Sequence, residues 1–262
     1  MRRRALHAAL HAEWTKVRTA GGMIWLLLAV IVATVAVSVA AAAAVTCPSG
    51  GCPVDPAKVS LTGVELGQAV VAVVAVLAIS GEYSTGMIRI TFTAMPGRVT
   101  VLAAKAAILT ALVIPAGSVA VLASLLAGRL ILPGHGFTTA HGYRLLSLAD
   151  GPVLRAAAGS VLYLALIALL GLGIATAVRD SAVSIGAVLG LLYLFPIAAS
   201  AVSPHWQRHI EQIGPMTAGL AIQATTGLRS LPISPWAGLG VLAAWAAAAL
   251  LAGGLLLRYR DA

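Results

Sequence analysis

Long uninterrupted apolar runs alternate with short polar segments along the chain. The runs occupy residues 23–45, 61–80, 99–127, 151–178, 181–201 and 236–257. Each is close to or longer than the roughly 20 residues that cross a bilayer as a helix. Helices also satisfy their own backbone hydrogen bonds, as a segment in lipid must. The pattern predicts an all-α polytopic membrane protein with six transmembrane helices.

A different pattern precedes the first run. Leu6, Leu10, Trp14 and Val17 recur at helical spacing, with basic residues off the apolar stripe. An apolar stripe flanked by cations is typical of a helix that lies in the membrane surface. We predict an interfacial amphipathic helix over residues 1–19; the alternative is a helix that continues straight into the first span.

Composition agrees with a membrane protein. Hydrophobic residues make up 60% of the 262 residues and charged residues 10%, against about 25% charged in ordinary soluble domains. The 27 glycines favour close helix contacts in lipid. We find no internal repeat and no low-complexity linker, so we treat residues 1–262 as one transmembrane domain.

The net charge of +9 reports topology when the basic residues are assigned to alternate sides. Eleven lie on the side of the N-terminus: Arg2, Arg3, Arg4, Lys16, Arg18, Arg89, Arg98, Lys105, Arg179, Arg258 and Arg260. Six lie on the other side: Lys58, Arg129, Arg144, Arg155, Arg208 and Arg229. The positive-inside rule then predicts a protein of the cytoplasmic membrane with both termini in the cytoplasm. Because topology accounts for most of the positive charge, we expect no nucleic-acid partner. Lys105, near the start of the third span, is expected to snorkel to the headgroups.

Motifs for independent catalysis are missing from the sequence. None of the three lysines follows a glycine, so the chain has no phosphate-binding loop of the Gly-Lys-Ser/Thr type. Scattered histidines predict no metal site, and we expect no cofactor and no enzymatic activity. Glu65 and Gln68 lie in the outer half of the second run, and the centres of the other runs carry no charged residue. This scarcity argues against ion-coupled transport and indicates an external energy source.

Small residues and cysteines predict two kinds of local contact. Gly63 and Gly67, like Gly186 and Gly190, have the four-residue spacing that allows helices to approach closely. Cys47 and Cys52 flank a flexible Pro-Ser-Gly-Gly loop on the side away from the termini. There we expect a disulfide rather than two free thiols.

The loop over residues 82–98 carries the most informative pattern. It begins with an acid, ends with cations and a Pro-Gly stop, and has amphipathic character between them. A short helix here would present Met87, Ile88 and Phe92 to a groove of a partner. The alternative is a plain connecting loop.

At these two polar segments the chain resembles the permease subunits of type-2 ABC transporters, particularly actinobacterial ones. The first resemblance is a Glu-Trp-x-Lys segment before the first span, and the second is Glu-Tyr-x-x-Gly-Met-Ile-Arg after the second span. The matching residues are Glu13, Trp14, Lys16, Glu82, Tyr83, Gly86, Met87 and Arg89. Downstream, Pro96, Arg98 and Lys105 also match the pattern.

The resemblance implies a membrane subunit of an ATP-driven exporter that pairs with a second permease copy or a paralogue. Two copies of a separate cytosolic ATPase would bind ATP and Mg²⁺, and the eight matching residues would couple to them. It also implies that residues 202–235 form external re-entrant helices between spans five and six.

Two competing functions remain open at this point. An integral-membrane enzyme would need clustered acids or histidines near one membrane face, whereas the eight carboxylates are dispersed. A non-transporting sensor or assembly protein would use the same fold. For a transporter, walls of small and aliphatic residues suit a hydrophobic or amphipathic cargo, such as a peptide, a lipid-like molecule or a drug.

Overall fold

A computed structural model describes residues 9–16, 21–47, 52, 54–84, 97–143, 145–201 and 203–259. Within these ranges the chain is helical apart from turns and loops, and contains no β-strand. We number the helices in chain order. They are α1 (described over 9–16), α2 (Gly21–Ala44), α3 (Pro56–Ser60), α4 (Val64–Ser84), α5 (Arg98–Ile131), α6 (Gly151–Val178), α7 (Ser181–Ser200), α8 (Pro204–Ile213), α9 (Pro215–Leu220) and α10 (Pro235–Tyr259).

Six of these helices are long and apolar enough to cross a membrane: α2, α4, α5, α6, α7 and α10. The prediction of an all-α chain with six candidate membrane spans is confirmed. Most predicted boundaries lie within about three residues of the observed ones. Hydrophobic run length alone carries this prediction, because the bilayer sets the length of a spanning helix.

Two predicted boundaries need correction. The second run, predicted over 61–80, starts later, because residues 61–63 form a turn between α3 and α4, and it continues to Ser84. The third run, predicted to end at 127, continues to Ile131 and includes Arg129. A long cationic side chain is tolerated near the end of a spanning helix because it reaches the headgroup region.

Helix α6 lies at the centre of the bundle and packs against α4, α5, α7 and α10. Apart from Tyr163, its buried residues are small or aliphatic, which brings neighbouring helices close. At Gly173 an added Cβ would lie 2.5 Å from the backbone carbon of Ala249 in α10. Only glycine allows this crossing.

The first glycine pair packs as predicted, and the second does not. A Cβ at Gly63 would lie 1.8 Å from the backbone oxygen of Thr34, and one at Gly67 would lie 2.2 Å from the Thr34 hydroxyl. This pair therefore permits the contact between α2 and the start of α4. By contrast, nothing in the described part of the chain lies within 4 Å of a Cβ at Gly186, and Gly190 meets only a side chain of its own helix.

The chain between α7 and α10 folds back into the bundle. Helix α8 has an exposed face, whereas α9 and the 3₁₀ turn Ala221–Gln223 are largely buried against α6, α7 and α10. Gly214 and Pro215 separate α8 from α9, because the Pro215 ring begins a new helix. Helix α9 and the 3₁₀ turn therefore lie among the long helices, with most of their residues buried.

The long helices alternate in direction, which gives the bundle two ends. The N-terminal end comprises α1, the last turns of α4, α6 and α10, and the first turns of α5. The disulfide end comprises Cys47, Cys52, α3 and the segment from α8 to the first turn of α10. Cys47 and Cys52 are joined by a disulfide, with their Cα atoms 6.1 Å apart.

Candidate coupling site

A buried carboxylate joins α1 to the N-terminal end of the bundle. Glu13 is only 5% exposed, and its carboxylate accepts hydrogen bonds from Lys16 at 2.9 Å and from Lys105 at 2.7 Å. Lys105 also donates to the backbone oxygen of Ala78 at 3.4 Å. One ammonium group thus connects α1, α4 and α5.

The expectation that Lys105 snorkels to the headgroups is wrong. Its side chain is 4% exposed and points into the protein, where the Glu13 carboxylate compensates its charge. An isolated buried ammonium is strongly disfavoured, whereas an ion pair with further hydrogen bonds is tolerated. The two residues are 92 positions apart, so no local spacing signals the pair.

The described part of α1 has one face toward the protein and one away from it. Ala9 and Glu13, four residues apart, are buried and share a helix face. Trp14 is 43% exposed, and Thr15 is exposed beside it. The helix therefore uses a mixed face for docking and leaves the Trp14 indole on its outer side.

A second contact at the N-terminal end involves Tyr83, in the last turn of α4. The guanidinium carbon of Arg179 lies 5.6 Å from the centre of the Tyr83 ring, a cation–π contact. Arg179 adopts φ 66° where α6 ends, a left-handed conformation that is uncommon outside glycine. Next to it, Asp180 caps α7 by accepting a hydrogen bond from Val183.

Helices α5 and α10 are joined at the same end. The Arg98 guanidinium donates to the backbone oxygen of Leu257 at 2.9 Å. Carbonyls in the last turn of a helix lack intrahelical donors, so a cation there satisfies one of them. Lys16, Tyr83, Arg98, Lys105 and Arg179 thus all lie at the end predicted to be cytoplasmic.

Four of the predicted coupling residues cannot be placed in this network. Gly86, Met87 and Arg89 lie outside the described residues. Glu82 belongs to the last turn of α4, but its side chain lies outside the described part. Of the predicted set, Glu13 and Lys16 contact each other, and Tyr83 contacts Arg179 at the same end of the bundle.

At the disulfide end, a residue that the sequence analysis did not single out accepts hydrogen bonds from residues 170 and 171 positions away. Asp55 accepts five hydrogen bonds: from Ala57, Lys58 and Thr226 backbone amides, and from both the amide and the hydroxyl of Thr225. Asp55 therefore caps α3 and also binds the segment that follows α9. The Asp-Pro pair at 55–56 is a helix-start signal that predicts the local half of this arrangement.

A buried polar cluster lies between the ends. Gln68 of α4 is fully buried, accepts a hydrogen bond from the Tyr163 hydroxyl of α6, and donates to the Met216 sulfur of α9 at 3.1 Å. The Tyr193 hydroxyl of α7 donates to the backbone oxygen of Glu65 at 2.6 Å. Four helices are thereby cross-linked through groups that lipid would not satisfy.

These features define the class: an all-helical, multi-pass membrane protein whose helix ends are joined by charged and polar contacts. No protein-family model matches the sequence, and no curated protein matches it.

Proposed function

We propose that the chain is the membrane-spanning permease subunit of an ATP-driven ABC exporter. The observation that carries this proposal is the junction at Glu13. The two segments that resemble the family's ATPase-contacting elements are the one before the first span and the one after the second. The segment before the first span is joined to α5 by the Glu13–Lys105 ion pair, and Lys105 also bonds the Ala78 carbonyl of α4. Helix α4 leads into the segment after the second span.

The junction supports a mechanical role. An ATPase that pressed on α1 or on the segment after α4 would load the same three helices, because Glu13, Lys105 and the Ala78 carbonyl connect them. Packed helices have discrete alternative arrangements, so binding energy supplied at one end shifts the population between them. The chain itself would contribute no nucleotide site; ATP and Mg²⁺ belong to the partner.

Within this proposal, the N-terminal end of the bundle faces the cytoplasm of the cytoplasmic membrane. Helix α1 is the interfacial helix, with Trp14 at the headgroups. Helices α8 and α9 form the external re-entrant segment, whose buried part is surrounded by protein. Two ATPase copies and a second permease copy or paralogue complete the exporter.

The test is reconstitution with the ATPase that copurifies from gently solubilised membranes. Glu82→Ala and Arg89→Ala are expected to leave expression and insertion unchanged, and to reduce both binding of the ATPase and ATP hydrolysis stimulated by this chain. The matched control is Arg129→Ala, which removes a cation at the disulfide end. Full stimulation by both coupling variants, or absence of any nucleotide-binding subunit in the purified complex, would reject the proposal.

A further inference from the structure

A cavity of about 380 Å³ opens between α4, the end of α7 and the segment that links α8 to α10. We call it the two-glutamate cavity; its polar wall includes Lys58, Glu65, Glu211 and Thr217, and its apolar wall includes Met216 and Leu220. Its volume falls within the range of roughly 300–1,000 Å³ typical of small-molecule sites. The cavity is therefore large enough for an organic ligand.

The charges around the two-glutamate cavity favour a cation. Glu65 and Glu211 are both half-buried, whereas Lys58 is exposed. The Glu211 carboxylate accepts a hydrogen bond from Gln207 at 2.9 Å. Within the described residues, no side chain forms a hydrogen bond to the Glu65 carboxylate. The cavity wall has two carboxylates and one ammonium, that of Lys58, so a ligand cation would balance the remaining negative charge.

The apolar wall favours an organic cation over a metal ion. A hard divalent cation takes about six or more oxygen ligands, whereas most of the cavity surface comes from aliphatic side chains, proline rings and the Met216 thioether. Met216 is polarizable and adaptable in shape, as suits a binding wall. The combination matches a molecule with an apolar body and one positive charge.

The α4 backbone at Glu65 is anchored to neighbouring helices. The Glu65 backbone oxygen accepts the Tyr193 hydrogen bond, and the next turn of α4 presents Gln68, which is bonded to Tyr163 and Met216. The polar cluster thus connects the position of the carboxylate to the apolar wall. A preorganised charge binds a ligand with less loss of entropy than a flexible one.

We infer that the two-glutamate cavity binds an amphipathic organic cation, with Glu65 as the main charge partner. Binding stands independently of the proposed transport function; only the role of the cation as cargo rests on that proposal. Binding is therefore measured on the full chain alone, so that failure of the site and failure of the exporter proposal remain distinguishable.

The experiment is equilibrium dialysis of the purified chain in nanodiscs of zwitterionic lipid. The probes are benzyltriethylammonium and naphthalene-2-sulfonate, which are similar in size and opposite in charge. We expect saturable binding of the ammonium about tenfold tighter than that of the sulfonate. Glu65→Gln and Glu211→Gln should each weaken ammonium binding, Glu65→Gln by about tenfold, in line with loss of a partly desolvated charge pair.

Two further variants separate charge from folding. Lys58→Gln removes the opposing cation and should tighten ammonium binding, a gain that misfolding does not produce. Asp180→Asn removes a carboxylate at the far end of α7 and should leave it unchanged. Equal affinity for both probes, unchanged affinity in both glutamate variants, or weaker binding in Lys58→Gln would overturn the inference.

Discussion

Glu13 illustrates how burial decides the value of a charge. Its two partners differ mainly in exposure: the Lys105 side chain is 4% exposed and that of Lys16 is 34% exposed. Removing one member of a buried pair leaves the other charge without compensation, at a cost of about 3–5 kcal/mol. An exposed pair contributes at most about 1 kcal/mol.

We expect Glu13→Gln to release α1 from the bundle. A helix that loses its tertiary packing is marginal in water, so we expect docking to provide most of the protection of the amides of residues 9–16. Their hydrogen–deuterium exchange should accelerate by at least about 100-fold, the equivalent of roughly 3 kcal/mol.

The Lys16→Gln variant is the control for that measurement. Because its charge pair is partly exposed, exchange in residues 9–16 should change by less than about fivefold. The reversed pair, Glu13→Lys with Lys105→Glu, should recover part of the protection lost in either single variant. Equal effects of Glu13→Gln and Lys16→Gln would contradict a dominant Lys105 bond.

The sequence contains these charged residues, but it does not predict which of them form ion pairs. A lysine seven residues into a hydrophobic run has the pattern of a snorkelling side chain. Its burial depends on the position of α1, which is a tertiary property. Tyr163 is similarly invisible as a polar anchor until Gln68 of another helix lies against it.

At the scale of the helices, glycine spacing has meaning only where two helices meet. The same Gly-x-x-x-Gly spacing occurs at 63–67 and at 186–190, yet only the first pair contacts a neighbouring helix in the described part of the chain. Spacing permits a close crossing, and the packing of the whole bundle determines whether it forms.

Gly63→Ala should destabilise the bundle, whereas Gly186→Ala should not. The new methyl group at 63 meets a backbone oxygen that cannot rotate away, and overpacking of this kind costs about 1–3 kcal/mol. At 186 the methyl group meets no described atom, and alanine is the better helix former by about 1 kcal/mol.

Thermal unfolding in detergent, followed by circular dichroism, checks this pair of variants. The midpoint should fall for Gly63→Ala and stay the same or rise for Gly186→Ala. A lower midpoint for Gly186→Ala would mean that α7 has a partner helix at this face in solution, such as one from a second copy.

For the whole molecule, orientation is the main prediction from sequence that awaits a measurement. The basic residues assigned to the N-terminal side do lie at one end wherever the structure describes their contacts, as for Lys16, Arg98 and Lys105. The lengths of the hydrophobic runs were sufficient to predict the spans, because a span depends only on the composition of its own segment. The orientation of the bundle depends instead on how the chain is inserted into the membrane.

Cysteine labelling in intact cells tests that orientation. Both native cysteines are in the disulfide, so an introduced cysteine is the reactive thiol. A membrane-impermeant maleimide should label Ala149→Cys, at the disulfide end, in intact cells. It should label Tyr259→Cys, at the N-terminal end, only after permeabilisation; the opposite pattern would invert the topology.

The Asp55 contacts also impose an order on biosynthesis. The disulfide joins residues five positions apart, so under the proposed topology it is able to close soon after the first loop is translocated. The hydrogen bonds that Thr225 donates to Asp55 span 170 positions. At about 5–20 residues per second, the ribosome needs roughly 10–35 seconds to make that interval. Under the proposed topology the crosslinked first loop waits during that time with the Asp55 carboxylate in water, and this end of the bundle locks only when residues 225–226 emerge.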